Sequence, residues 1–100
     1  MKYNKLVRDK IPEIIRQKGG NPTTHIAGAE EYWDKLKEKL VEEAKEFMES
    51  GSKEELADIF EVIDAVCLYK GFNKDELVRI QEAKATERGK FADKIILEES

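Results

Sequence analysis

Residues 39–64, KLVEEAKEFMESGSKEELADIFEVID, decide the fold of this chain. The stretch holds two acidic pairs, Glu43/Glu46 and Glu55/Asp58, each spaced i, i+3. Residues three apart share one face of a helix. Gly51-Ser52 lies between the pairs. Glycine suits the left-handed position just past a helix end, and Ser52 followed by Glu55 has the spacing of a capping box that starts the next helix. The stretch therefore predicts helix, tight turn, helix, with the two helices antiparallel. At ~1.5 Å of rise per residue, Glu46 lies about as far before the turn as Glu55 lies after it, and Glu43 and Asp58 are each one turn further away. The four carboxylates are expected to meet at one level. Acidic oxygens converging between apolar helices repel strongly unless a cation sits among them, and an oxygen-only ligand set favours a hard ion, Mg²⁺ or Mn²⁺.

The apolar pattern aims part of this set inward. Trp33, Leu36, Leu40, Ala44 and Phe47 follow helical periodicity, and Glu43 borders their stripe. After the turn, Leu56, Ile59, Phe60, Ile63, Val66 and Cys67 form a wide face that Val62 extends, with Asp58 four residues before Val62. Glu42, Lys45 and Glu49 are expected on the solvated side of the first helix. A lone ExxE is most often a solvated helix face, and Glu55 has an ordinary use in capping its own helix. Two pairs matched across a turn, both bordering apolar stripes, favour the metal reading.

One hundred residues make a single domain, residues 1–100, and 40% apolar with 40% charged residues fits a helical protein. The net charge of −4 argues against duplex nucleic acid, which is held by clustered Lys and Arg. A nucleotide carrying its own metal ions remains compatible. Cys67 is the single cysteine, on an apolar helix face, so a disulfide framework is excluded and a reducing compartment is natural. No apolar run approaches the ~20 residues that cross a bilayer, and the opening MKYNKLVRDK lacks the apolar core of a signal peptide. The expected location is the cytoplasm, with no membrane partner. The segment from Ser52 to Lys70 is apolar around most of its circumference, with a polar strip only at Glu54, Glu61 and Asp64. Such a helix needs cover on several sides, which one hairpin partner does not give. A homo-oligomer, dimer or tetramer, is expected.

Along the rest of the chain, Tyr3, Leu6 and Val7 form a short apolar alternation, and Asp9 is placed to cap a helix through Ile11, Ile14 and Ile15 with Pro12 in its first turn. Gly19-Gly20-Asn21-Pro22 stops that helix. Arg8, Asp9 and Lys10 form a charged cluster at its start, readable as a phosphate contact or as an ordinary cap with solvated flanks. Thr23 to Gly28 reads as an extended linker or brief strand. His25, the only histidine, has no legible catalytic partner and is expected at the surface, and one Cys with one His argues against a zinc site. Ala29 to Ser50 is one long helix. Lys39 shares a face with Glu43 and Glu46, to pair with Glu43 or to point toward bound phosphate. Gly71 ends the second hairpin helix, and Asn73 with Glu76 starts a last helix from Lys74 to Glu87. Lys84 and Arg88 lie four apart at its end, as cations favoured by the helix dipole or as a phosphate clamp beside Phe91. Phe91, Ile95, Ile96 and Leu97 form an extended tail suited to packing on a neighbour.

The pattern EExxE followed by ExxD, here Glu42, Glu43, Glu46, then Glu55 and Asp58, resembles the MazG-type all-α nucleoside triphosphate pyrophosphohydrolase superfamily. KLVRDKIPEII, KLVEEAKEF, EELADIFEVIDA and KATERGKF, in that order, are similar to its small branch of phosphoribosyl-ATP pyrophosphohydrolase-like proteins, over nearly the whole chain. The resemblance implies an all-α fold in which a helical hairpin with added N- and C-terminal helices is completed by oligomerisation. It implies metal ligands at Glu43, Glu46, Glu55 and Asp58, and substrate contacts at Arg8, Asp9, Lys10, Lys84 and Arg88, to which the helix face adds Lys39. It further implies Mg²⁺-dependent cleavage between the α- and β-phosphates of a nucleoside triphosphate, with Glu43 or Glu46 taking the proton of the attacking water. Two departures stand out: the interval between the acidic pairs is shorter than in typical MazG domains, and Lys90 replaces the usual second glycine after Gly89. Standard or damaged triphosphates and phosphoribosyl-ATP remain alternative substrates, and a non-catalytic helical oligomeric binding module is the alternative outside the enzyme class.

Overall fold

The computed structural model describes residues 4–100, and among them there are four helices and no strand. The fold is all-α. In chain order the helices are α1 (Ile11–Gln17), α2 (Ala29–Ser50), α3 (Lys53–Lys70) and α4 (Lys74–Arg88). Tyr3, part of the N-terminal alternation, lies outside the described residues.

Local chemistry sets most of these boundaries. α2 ends at Gly51, whose φ of 63° is left-handed and whose N–H reaches back to the Phe47 carbonyl at 2.7 Å. A side chain with Cβ adopts that conformation only at a cost, so glycine is favoured here. Ser52 then caps α3: its hydroxyl accepts from the Glu55 N–H at 3.3 Å. The other half of a capping box would have the Glu55 carboxylate bind the Ser52 N–H. Here that N–H donates instead to Ser50 Oγ at 3.2 Å, which leaves the Glu55 carboxylate for other partners. Asn73 caps α4 by accepting from Asp75 and Glu76 N–H at 2.8 and 3.2 Å.

One expectation changes and one alternative is decided. Asp9 does not cap α1; the cap position falls on Lys10, in helical conformation and without a side-chain cap bond, because a turn that closes Ile11 N–H on the Arg8 carbonyl at 3.0 Å already starts the helix. Thr23 to Gly28 is irregular, not a strand, and the exposed His25 bonds both Glu31 carboxylate oxygens at 3.0 Å, which ties this linker to the first turn of α2.

The main packing contact joins α2 and α3. At the end away from the Gly51 turn, Tyr69 donates its hydroxyl to the Ala29 carbonyl at 3.1 Å and stacks on Trp33 with ring centroids 5.5 Å apart. Tyr32 meets Tyr69 edge-on, and Lys37 and Lys70 lie over the Trp33 ring. Between this aromatic clasp and the turn, the buried apolar residues are Leu36, Val62 and Cys67, the last a free thiol. α1 and α4 bury no residue, and the chain after Gly89 is irregular with Phe91, Ile95, Ile96 and Leu97 exposed. Among the described residues no helix is long and apolar enough to cross a membrane.

The apolar stripe of α2 is covered only in part: Trp33, Leu36 and Phe47 lie against the rest of the chain, but the middle of the stripe does not. Leu40 and Ala44 are exposed, whereas Lys39, Glu42 and Glu46 are partly covered and Glu43 is buried. The expectation of a solvated Glu42 fails because the N-terminal segment crosses α2 there: Lys5 donates to Glu42 Oε1 at 3.0 Å. On α3 the covered line runs through Glu55, Asp58, Ile59 and Val62, and Leu56, Phe60 and Ile63 stand open.

Candidate metal centre

Glu43 enters from α2, eight residues before the glycine cap, and Glu55 and Asp58 enter from the first two turns of α3. Each offers a carboxylate oxygen such that all three lie within 4.8 Å of one another. Glu43 is 7% exposed, the one buried charged residue among those described. Its Oε2 has no hydrogen-bond partner, and neither does the buried Oε2 of Glu55. Buried acceptors of this kind are normally satisfied, and these two belong to residues of the same acidic cluster.

The surrounding cations sit at the rim. Lys39 Nζ is 3.4 Å from Glu43 Oε1 and 3.4 Å from Glu42 Oε2. Arg8 donates from Nη2 to Asp58 Oδ1 at 2.8 Å. Burial pushes the Glu43 carboxyl above the usual range, and the hydrogen bond and charge of Glu46 push the same way, against Lys39. Glu55 is also raised, by desolvation first and then by the charges of Asp58 and Glu43, while a hydrogen bond with Glu46 opposes. Burial would raise Glu42 too, but Lys5 and Lys39 outweigh it and hold Glu42 low. The inner carboxylates are thus short of positive charge and the outer one is not.

Glu46 stands beside Glu43 and Glu55, close enough to perturb both, yet outside the set of three that approach mutually. Three residues of helix rotate its side chain by about 60° from that of Glu43 and move it one turn nearer the loop. Of the remaining sites read from sequence, Asp9 and Lys10 are exposed in the turn before α1, and Lys84 and Arg88 are exposed on α4, outside the carboxylate cluster. Lys39 makes the carboxylate pairing, with Glu42 as well as Glu43. The Arg8–Asp58 bond spans 50 positions, and no local pattern could have revealed it. Lys5, which draws Glu42 into the wall of the site, was equally hidden.

No family model matches the chain, and no solved structure does. Over 49 residues the chain is 41% identical to an uncharacterized protein of Mycolicibacterium smegmatis. The matched stretch is 49% of this chain and 50% of that protein, so the chain spans about half the length of the relative it matches.

The donor set itself fits a hard divalent cation. It is all oxygen, it comes from two helices, and two oxygens of its members are buried without a hydrogen-bond donor.

Proposed function

We propose that the chain is a Mg²⁺- or Mn²⁺-dependent nucleotide pyrophosphohydrolase of the MazG type, which splits a nucleoside triphosphate between its α- and β-phosphates into a nucleoside monophosphate and pyrophosphate. The observation that carries this reading is the convergence of Glu43, Glu55 and Asp58 with two buried, unpartnered carboxylate oxygens. In this reading those three residues hold the cation, and Glu46 completes the group from its edge. The cation, when bound, supplies charge neutralisation at the phosphates and polarises the phosphorus under attack. Glu46 accepts the proton of the attacking water as oxygen bonds to phosphorus and the bridging P–O bond breaks toward pyrophosphate. Lys39 and Arg8, at the rim of the cluster, hold phosphate oxygens by charge-assisted hydrogen bonds. The protein acts as a homodimer or homotetramer, which brings Lys84 and Arg88 of one chain to the phosphates held by another.

The test is pyrophosphate release from a panel of standard, oxidised and deoxy triphosphates and phosphoribosyl-ATP, with and without Mg²⁺. Metal-dependent release from at least one member is expected. Glu46→Gln should remove most of it with helicity unchanged; full activity in that variant, or no release from any substrate, overturns the proposal. The exposed apolar residues of α3 and of the C-terminal tail favour a second reading, a helical binding module without chemistry. Calorimetry with Mg²⁺ and a non-hydrolysable nucleotide separates the two, since the module gives no heat with either.

A further inference from the structure

We infer that Arg8 is an internal counter-ion that holds Asp58 in the metal-free protein and moves to the phosphate-bearing ligand when cation and ligand bind, so that the two bind cooperatively. The inference rests on the metal centre proposed above. Arg8 lies in the segment ahead of α1 and reaches across to the start of α3, where Nη2 donates to Asp58 Oδ1 at 2.8 Å. Asp58 belongs to the three-carboxylate group. The guanidinium therefore satisfies a partly exposed member of the three candidate ligands, while Oε2 of Glu43 and of Glu55 keep no partner. Glu43 is more than nine-tenths buried, so this deficit lies where solvent does not reach it.

A guanidinium does not lose its proton in a protein. It competes with a divalent cation for Asp58, and once that cation is bound the two positive charges repel. Breaking the pair is inexpensive: both side chains are substantially exposed, at 56% and 39%, and an exposed pair of this kind shifts an equilibrium by about fivefold or less. The released fork has the planar geometry that matches two phosphate oxygens. A residue that opposes the cation and attracts the phosphate makes each ligand favour the other, and the coupling is reciprocal. The cation alone is then held weakly, and the pair of ligands together tightly.

The experiment measures Mn²⁺ binding to the full chain by electron paramagnetic resonance, first alone and then with a non-hydrolysable nucleoside triphosphate analogue, in wild type, Arg8→Gln and Lys5→Gln. Lys5 is on the same segment and carries the same charge, but it hydrogen-bonds Glu42 and acts on Glu43 and Glu46 only through its charge. Arg8→Gln should bind Mn²⁺ alone about two- to fivefold more tightly than wild type, and the analogue in saturating Mn²⁺ roughly tenfold or more weakly. Lys5→Gln should tighten Mn²⁺ less than Arg8→Gln does. Unchanged or weaker Mn²⁺ binding in Arg8→Gln, equal tightening in Lys5→Gln, or unchanged analogue affinity overturns the inference while leaving the metal centre in place. Absence of Mn²⁺ binding in both wild type and Arg8→Gln overturns the centre as well. Circular dichroism controls the fold; should Arg8→Gln lose helix, Arg8→Lys, which keeps the charge and lacks the fork, should show the same two signs at smaller size.

Discussion

Glu43 has Lys39 at one carboxylate oxygen and the Glu46 carboxyl beside it, and its Oε2 is buried without a donor. Its raised proton affinity, shared with Glu55, makes stability pH-dependent in a definite direction. A carboxyl whose folded-state pKa lies above its unfolded value binds protons more tightly when folded, so folding is favoured at low pH and this contribution is lost as pH rises through the folded value. Glu42, held low, works oppositely: its contribution is present above the unfolded pKa and lost as pH falls through the folded value. A divalent cation at the cluster favours the charged forms of Glu43 and Glu55. The rise in Tm caused by Mg²⁺ should therefore be larger at pH 8 than at pH 5.5, as thermal unfolding at both values will show; a Mg²⁺ effect that shrinks with rising pH would contradict the site. Glu43→Gln keeps the shape and removes the buried charge. The metal-free variant should be more stable than wild type by about 1 kcal/mol at pH 8, in the range found when functional sites are relieved of strain, and should lose the Mg²⁺ response.

At the scale of elements, the register between the acidic pairs depends on Gly51-Ser52. Gly51→Ala places a Cβ in left-handed backbone and should cost about 1 kcal/mol, which is roughly 4–8 °C in Tm for a domain this size. Ser52→Ala removes the cap of α3 and should cost about as much. Calorimetric unfolding checks both, and because Ser50 already occupies the Ser52 N–H, Glu55→Gln should leave the cap intact and cost less than either. Helix boundaries were legible in the sequence because glycine ends and Ser or Asn caps act within four residues. The Glu43, Glu55 and Asp58 grouping was legible for the same reason, as a short turn carries the register from one helix to the next. What was hidden depends on cover from far along the chain. The periodic stripe marked Leu40 and Ala44, but periodicity reports which residues are apolar, not which face is covered. The N-terminal segment and α3 cover Lys39, Glu42 and Glu43 instead. Asp9 had the composition of a cap, and the turn closed by Arg8 and Ile11 took its place.

For the whole molecule, the balance between surface and core argues for a larger assembly. A compact chain of 11.5 kDa exposes about 5,800 Å², whereas this one exposes 9212 Å². Its radius of gyration is 17.7 Å against about 13 Å for a compact domain of this length. The excess area is larger than the ~800 Å² that a standard interface takes from one partner, and Leu56, Phe60, Ile63 and Leu68 contribute to it along α3. Phe60→Asp should shift the protein from oligomer to monomer in light scattering and lower its Tm; a wild-type monomer at micromolar concentration would refute the assembly. The same geometry bears on the site. Lys84 and Arg88 lie on a helix that buries none of its own residues, so in the proposed enzyme any phosphate contacts from them are expected to come across an interface. Glu46→Gln and Arg88→Gln are each expected to be inactive, and by defects in different chains of one shared site. In a dimer, co-refolding equal amounts should restore roughly a quarter of wild-type activity, because half of the molecules become mixed dimers in which one of two sites draws both functional groups from unmutated positions. If the mixture stays inactive although mixed dimers form, Arg88 acts within its own chain or not at all, and α4 must then fold back toward α2 and α3 when the ligand binds.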